Sequence, residues 1–96
     1  MSVISVNQAE QIAEMLKAMA DPARIRILGL LLEAPYCVSD LCNALAMSEA
    51  AVGHHLRVLR QNRLARRNRV GRKTYYLLAD GHIQVLFQQI LEHSFH

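Results

Sequence analysis

Residues 39–61 read S-D-L-C-N-A-L-A-M-S-E-A-A-V-G-H-H-L-R-V-L-R-Q, and this stretch decides the fold. Ser39 is placed to cap a short helix from Asp40 to about Leu45, Ala46-Met47 turns the chain, and Ser48 caps a second helix running to about Asn62. Two short capped helices separated by a tight turn form a helix-turn-helix pattern. Leu41, Leu45, Val52, Leu56 and Leu59 hold the pair together. On the second helix Val52, Leu56 and Leu59 fall within about 60° of one another, and Ala50, Gly53, His54, Arg57 and Gln61 cluster opposite. That outward face suits a major groove, where Arg reads guanine and Gln reads adenine. His55 lies on the flank of the core stripe, which fits a partly buried packing or capping role. Gly53 costs a helix about 1 kcal/mol relative to Ala, which makes sense where backbone must approach DNA closely.

Downstream, Leu64 to Asn68 and Lys73 to Leu78 read as two strands joined by Arg69-Val70-Gly71-Arg72. A basic hairpin after a reading helix is a wing, whose tip lies along phosphates or reaches into the minor groove. A charged hairpin protected from aggregation is the plainer alternative. The charge distribution favours DNA. From Ala50 to Ala79 there is no Asp or Glu, while Arg57, Arg60, Arg63, Arg66, Arg67, Arg69, Arg72 and Lys73 supply eight of the eleven basic residues. Such a field suits a phosphate backbone. A membrane surface fits less well, because the basic residues do not share one amphipathic helix.

Upstream, Gln8 to Met19 reads as a helix with Ile12, Met15, Leu16 and Met19 on one side. Asp21-Pro22 restarts the chain as N-cap and first helical residue. The next helix runs to about Glu33 with Ile25, Leu28, Leu31 and Leu32 as core, and Pro35 follows as a stop. Both helices read as structural.

The final stretch, D-G-H-I-Q-V-L-F-Q-Q-I-L-E-H-S-F-H from Asp80 to His96, reads as a helix with an apolar stripe of Ile83, Leu86, Phe87, Ile90, Leu91 and Phe95. His82 and His93 return to within about 20° of the same face but stand roughly 16 Å apart along the axis. Metal–nitrogen bonds are only about 2 Å long, so one straight helix cannot close on one ion. A second, antiparallel copy would set Asp80 and His82 of one chain against His93 and His96 of the other, giving two equivalent four-ligand sites. The alternative is that Asp80 is an N-cap and that His93 and His96 are cations favoured by the C-terminal dipole.

Ninety-six residues make one small domain, 1–96, whose modest core an oligomeric interface would supplement. No run of about 18 apolar residues exists, so no membrane span is expected. The first residues, M-S-V-I-S-V-N-Q-A-E, lack a charged region followed by an apolar core and do not read as a secretory signal. Cys37 and Cys42 do not make a disulfide framework, which fits a reduced cytoplasm. An enzyme is not expected. His93-Ser94-Phe95-His96 is not His-Glu-x-x-His, and no nucleophile–base pair or glycine-rich phosphate loop is present.

Taken together, D-P-A-R-I-R-I-L at 21–28, S-E-A-A-V-G-H-H-L-R-V-L at 48–59, G-R-K-T-Y-Y-L at 71–77 and the terminal Asp-x-His-x10-His-x2-His resemble the ArsR/SmtB metal-sensing repressors. The terminal motif resembles the zinc-sensing branch. The resemblance implies a mainly α fold with a β-hairpin wing, a winged helix-turn-helix that forms a homodimer through its first and last helices. It implies a repressor that binds double-stranded operator DNA when metal-free and is released by Zn(II), with Co(II) as surrogate. Its metal ligands would be Asp80 and His82 of one protomer with His93 and His96 of the other. Its DNA-binding residues would come from Ser48, Ala50, Gly53, His54, Arg57, Gln61, Arg67, Arg69, Arg72 and Lys73. A hydrogen bond from His93 towards the backbone near Arg60 would link the two surfaces. The family usually has serine where this chain has Gly53. A second family site uses Cys-Val-Cys, and Cys37-Val38-Ser39-Asp40 lacks its second thiol. Cys37 and Cys42 therefore read as buried packing thiols, and a thiol sensor built on them is the competing regulator. A DNA-binding protein with no effector is the other. Imidazoles with one carboxylate suit zinc or cobalt in tetrahedral geometry, whereas thiophilic ions would want the missing thiolates.

Overall fold

The computed structural model describes residues 3–95. Five helices and one hairpin follow in the order α1 (Val6–Met19), α2 (Pro22–Glu33), α3 (Val38–Leu45), α4 (Glu49–Gln61), β1 (Ala65–Val70), β2 (Lys73–Leu78) and α5 (Gly81–Ser94). This is the mainly α, winged helix-turn-helix arrangement expected from the sequence.

Most helix starts are set by local polar chemistry. Ser5 and Gln8 form a reciprocal capping box at α1, and Asp21 accepts from Ala23 and Arg24 ahead of Pro22. Ser48 accepts from the Ala51 N–H, and Asp80 from the Ile83 N–H. The exception is α3. It begins two residues before the expected Asp40, with Cys37 at the N-cap and no side-chain cap bond. Ser39 lies inside the helix, and its Oγ sits 3.2 Å from Cys37 Sγ instead of capping.

The turn between α3 and α4 places Ala46 at φ 54, in the left-handed region. A side chain there costs roughly 1–2 kcal/mol, and glycine avoids it. Ala46→Gly is therefore expected to raise unfolding free energy by about 0.5–1 kcal/mol. Urea denaturation of both chains measures it, and a loss of stability would mean that the Ala46 methyl contributes more than its backbone costs.

β1 and β2 pair antiparallel from Ala65↔Leu78 to Val70↔Lys73. The connection is thus the two residues Gly71 and Arg72, and Arg69 and Val70 belong to the strand, not to a four-residue turn. A two-residue turn matches strand twist when its first residue takes positive φ, as Gly71 does at 64°. Leu64 precedes the strand but is fully buried. Tyr36 adds a single bridge to Tyr76, with N–H to carbonyl distances of 3.1 and 2.7 Å, anchoring the α2–α3 loop to β2.

The core gathers Ile27, Leu28 and Leu31 of α2, Leu41 and Leu45 of α3, Val52, Leu56 and Leu59 of α4, Tyr76 and Leu78 of β2, and Ile83 and Phe87 of α5. One expectation for α2 fails, since Ile25 is exposed, whereas Leu32 is half-buried and packs against the core. Ile27 takes the inward position because it, Leu28 and Leu31 form the side of α2 that meets the rest of the core, and Ile25 falls outside that arc. No helix among the described residues is long and apolar enough to cross a membrane.

Candidate nucleic-acid interface and metal site

α4 turns Val52, Leu56 and Leu59 inward, and this fixes what faces out. Ala50, His54, Arg57 and Gln61 are exposed along one side, with Gly53 half-exposed among them. A Cβ built on Gly53 would meet nothing within 4 Å, so no intramolecular contact demands glycine there. Ser48 Oγ is engaged at 3.1 Å as acceptor of the cap bond, which leaves its hydroxyl proton free to donate outward.

The hairpin divides its basic residues. Opposed residues of an antiparallel pair share a face and successive residues alternate. Arg67 opposite Tyr76 and Arg69 opposite Thr74 therefore lie on the side where Tyr76 enters the core, while Arg66 and Lys73 lie on the other. Arg69 Nε donates to the Gly71 carbonyl at 3.1 Å, so this side chain folds back over the turn. Arg72 is exposed at the tip.

On α5, Ile83 and Phe87 are buried, whereas Val85, Leu86, Ile90 and Phe95 are exposed. The apolar stripe read from the sequence is thus two stripes. Relative to His82, residues Leu86 and His93 fall within about 40° on the same side, and Ile83 and Phe87 are turned roughly 100–140° away. The two histidines share the outward apolar face. α1 presents a second such face through Val6, Ile12 and Leu16, each exposed.

Asp80 and His82 come together at the start of α5, with Oδ1 and Nδ1 3.6 Å apart and both side chains open to solvent. The Ile83 N–H, donating to Asp80 Oδ1 at 3.0 Å, is the main reason this carboxyl lies below its ordinary range, and His82 adds to the lowering. The carboxylate is therefore both N-cap and an ionised oxygen donor, because the cap leaves Oδ2 free. His93 lies in the last turn of the same helix and is exposed. His96 lies outside the described residues. Among the described residues no three His, Cys, Asp or Glu side chains gather closely enough to hold an ion.

Arg60 is half-buried, and its Nε lacks a hydrogen-bond partner among the described residues. Its carbonyl already accepts from the Arg63 N–H at 3.1 Å. Cys37 and Cys42 are free and half-buried, and Cys42 packs against the core as a packing thiol would. The Cys37 thiol donates to Asp40 Oδ2 at 3.1 Å.

One polar group escaped the sequence reading altogether. Arg24 Nη1 lies 3.2 Å from His55 Nδ1, joining α2 to α4 across thirty-one positions of sequence. No local pattern marks such a pair, although the half-buried setting of His55 is as expected.

Residues 21–67 match the model of bacterial regulatory proteins of the arsR family. The chain is 46% identical over 91 residues to a transcriptional repressor SmtB homolog of Synechocystis sp., covering 95% of this chain and 69% of that one. It is 42% identical over 88 residues to the regulator NmtR of Mycobacterium tuberculosis, covering 92% and 73% respectively. The fold superposes with a TM-score of 0.86 and 27% identity on a homodimeric winged helix-turn-helix DNA-binding domain of Mycobacterium bovis, over 98% of this chain and 90% of that one.

Proposed function

The chain belongs to the arsR family of bacterial regulatory proteins, and from that premise we propose that it is a homodimeric repressor whose hold on operator DNA is released by Zn(II) or Co(II). The observation that carries the metal half of this reading is the pairing of Asp80 with His82 on an exposed apolar face that also bears His93 one helix-length away.

The reading proceeds from surfaces. α1 and α5 each leave an apolar side uncovered, and burying both against a second copy would complete a core that one chain of this length supplies only in part. An antiparallel meeting of two α5 helices brings Asp80 and His82 towards His93 and His96 of the partner. A carboxylate oxygen and three imidazole nitrogens match the preference of Zn(II) and Co(II) for four-coordinate sites. Bound there, the ion would join the two α5 helices. The dimer holds two α4 helices, whose separation must suit successive major grooves about 34 Å apart. Fixing α5 against its partner biases that separation. By linkage, operator DNA must then weaken metal binding by the same factor by which metal weakens DNA binding. Ser48, Ala50, Gly53, His54, Arg57 and Gln61 would meet the groove, and Arg67, Arg69, Arg72 and Lys73 the phosphates beside it.

The test is a cobalt(II) titration of reduced protein followed by visible absorption. Intense tetrahedral bands saturating at one ion per protomer are expected, and none in a His82→Ala, His93→Ala double variant. Weak octahedral spectra that the two substitutions leave unchanged would refute the site.

A further inference from the structure

The Arg24 side chain is held on several sides at once. Its Nε donates to the Ala18 carbonyl at the end of α1 at 2.6 Å, and Nη1 lies 3.2 Å from His55 Nδ1 on α4 and 4.0 Å from Asp21 Oδ2. Only 15% of this side chain is exposed. Its own backbone N–H donates to Asp21 Oδ1 at 3.1 Å, so the residue is fixed at both ends.

A guanidinium offers donors and no acceptor. The His55 ring must therefore meet it with an unprotonated Nδ1, which places the single ring proton on Nε2. Protonating Nδ1 would set two donors and two positive charges face to face.

We infer that Arg24 is a positioning residue for DNA reading, which through neutral His55 ties the recognition helix to the α1–α2 junction, and that protonating His55 breaks the tie and weakens operator binding. This rests on the reading of α4 as the DNA-contacting helix. His55 stands on the flank of α4 that meets α2, about 100° round the helix from the outward His54, so the tie sets the rotation of α4 about its axis and hence where His54 and Arg57 point. α1 also carries one of the uncovered apolar faces, and the Ala18–Arg24–His55 chain is thus a short covalent-and-hydrogen-bonded route from the proposed dimer surface to the DNA surface.

Among the described residues, the charged or titratable groups facing His55 are Asp21 and Arg24 at the start of α2 and His54 on α4; α1 contributes the Ala18 carbonyl. Burial of the ring is the main reason His55 titrates below its ordinary range; Arg24 and His54 add to the lowering, and Asp21 opposes it. The folded value is below the unfolded one. The neutral ring's contribution is then complete above about pH 6.5 and is lost as pH falls through the folded value.

The experiment uses metal-free protein and a duplex of about 30 base pairs selected by that protein from a randomised library. Because His54 is a second imidazole on the outward face of α4, beside His55, the comparison is made in a His54→Gln background. Between about pH 7.5 and about pH 5.5 operator binding should weaken about tenfold more in the chain retaining His55 than in a His55→Asn variant, whose amide oxygen can accept from Arg24 but does not titrate. Arg24→Lys, which cannot serve both partners, should weaken binding about fivefold at pH 7.5 without abolishing the fold. Nitrogen NMR of His55 at pH 7.5 should report the neutral, Nε2-protonated ring. A common pH profile for His55 and His55→Asn, or an Nδ1-protonated ring, would overturn the inference and leave the repressor reading intact. Failure of the parent chain to retain any duplex, with the Nε2-protonated ring present, would overturn the repressor reading and this inference with it.

Discussion

Glutamate in place of Ile90 is expected to leave the chain monomeric at micromolar concentration and to weaken operator binding by about a hundredfold or more, because a monomer engages one half-site where a dimer engages two. Ile90 is 43% exposed in the single chain, and its neighbours Leu86 and Val85 are 39% and 60% exposed. An isolated chain gains nothing from these side chains. In the proposed dimer they are covered, and a carboxylate among them would lose its hydration without a partner. The folded monomer should survive, since Ile83 and Phe87, not Ile90, hold α5 to the core. Gln88→Glu, exposed on the same helix about 160° from Ile90, is the control for charge alone. Sedimentation equilibrium and operator titration on the three chains check this. An Ile90→Glu chain that still dimerises with unchanged affinity would place the interface elsewhere.

How much of this molecule could be read from its residues depends on the range over which each signal acts. Caps and stripes act within one or two turns. Asp21-Pro22, Ser48 and Asp80 accordingly mark the starts of α2, α4 and α5 where the structure has them, and the Val52, Leu56 and Leu59 side of α4 is buried as its spacing requires. Ser39 does not cap α3 because a capping residue must itself keep an extended backbone, and here Cys37 does so while Ser39 lies inside the helix. The hairpin is legible, but its turn is two residues and not four, since arginines resemble loop residues and Gly71 alone marks the reversal. Ile25 against Ile27 could not be settled by periodicity. Both sit near a helical stripe, and the choice is made by helices and strands far along the chain. Arg24 with His55, and Tyr36 with Tyr76, are pairings across 31 and 40 positions with no local signature. The candidate metal site is legible only as a list of ligand types, because half of its proposed geometry belongs to a second copy.

Removing the Phe87 ring should cost the fold more than any other substitution considered, about 3–5 kcal/mol for Phe87→Ala. Phe87 is 1% exposed and is the largest fully buried side chain. Its Cε1 lies 3.9 Å from where a side chain on Gly29 would begin, so the ring lies close against α2 at the one residue there that has no side chain. That seat leaves little for the neighbours to collapse into, and the cavity persists. A small domain has roughly 5–15 kcal/mol in total, so the variant should unfold at a markedly lower urea concentration, measured at fixed protein concentration because dimerisation contributes to stability. The consequence reaches function through one helix. Phe87 and His82 project from opposite sides of α5, so the ring that fastens the helix inward also sets how Asp80, His82 and His93 are presented outward. Cobalt affinity should therefore fall in Phe87→Ala even under conditions where the protein remains folded, although no ligand has been touched. A loss below about 1 kcal/mol with cobalt binding unchanged would mean that Ile83 and the Asp80 cap alone hold α5, and that the proposed site does not depend on the packing beneath it.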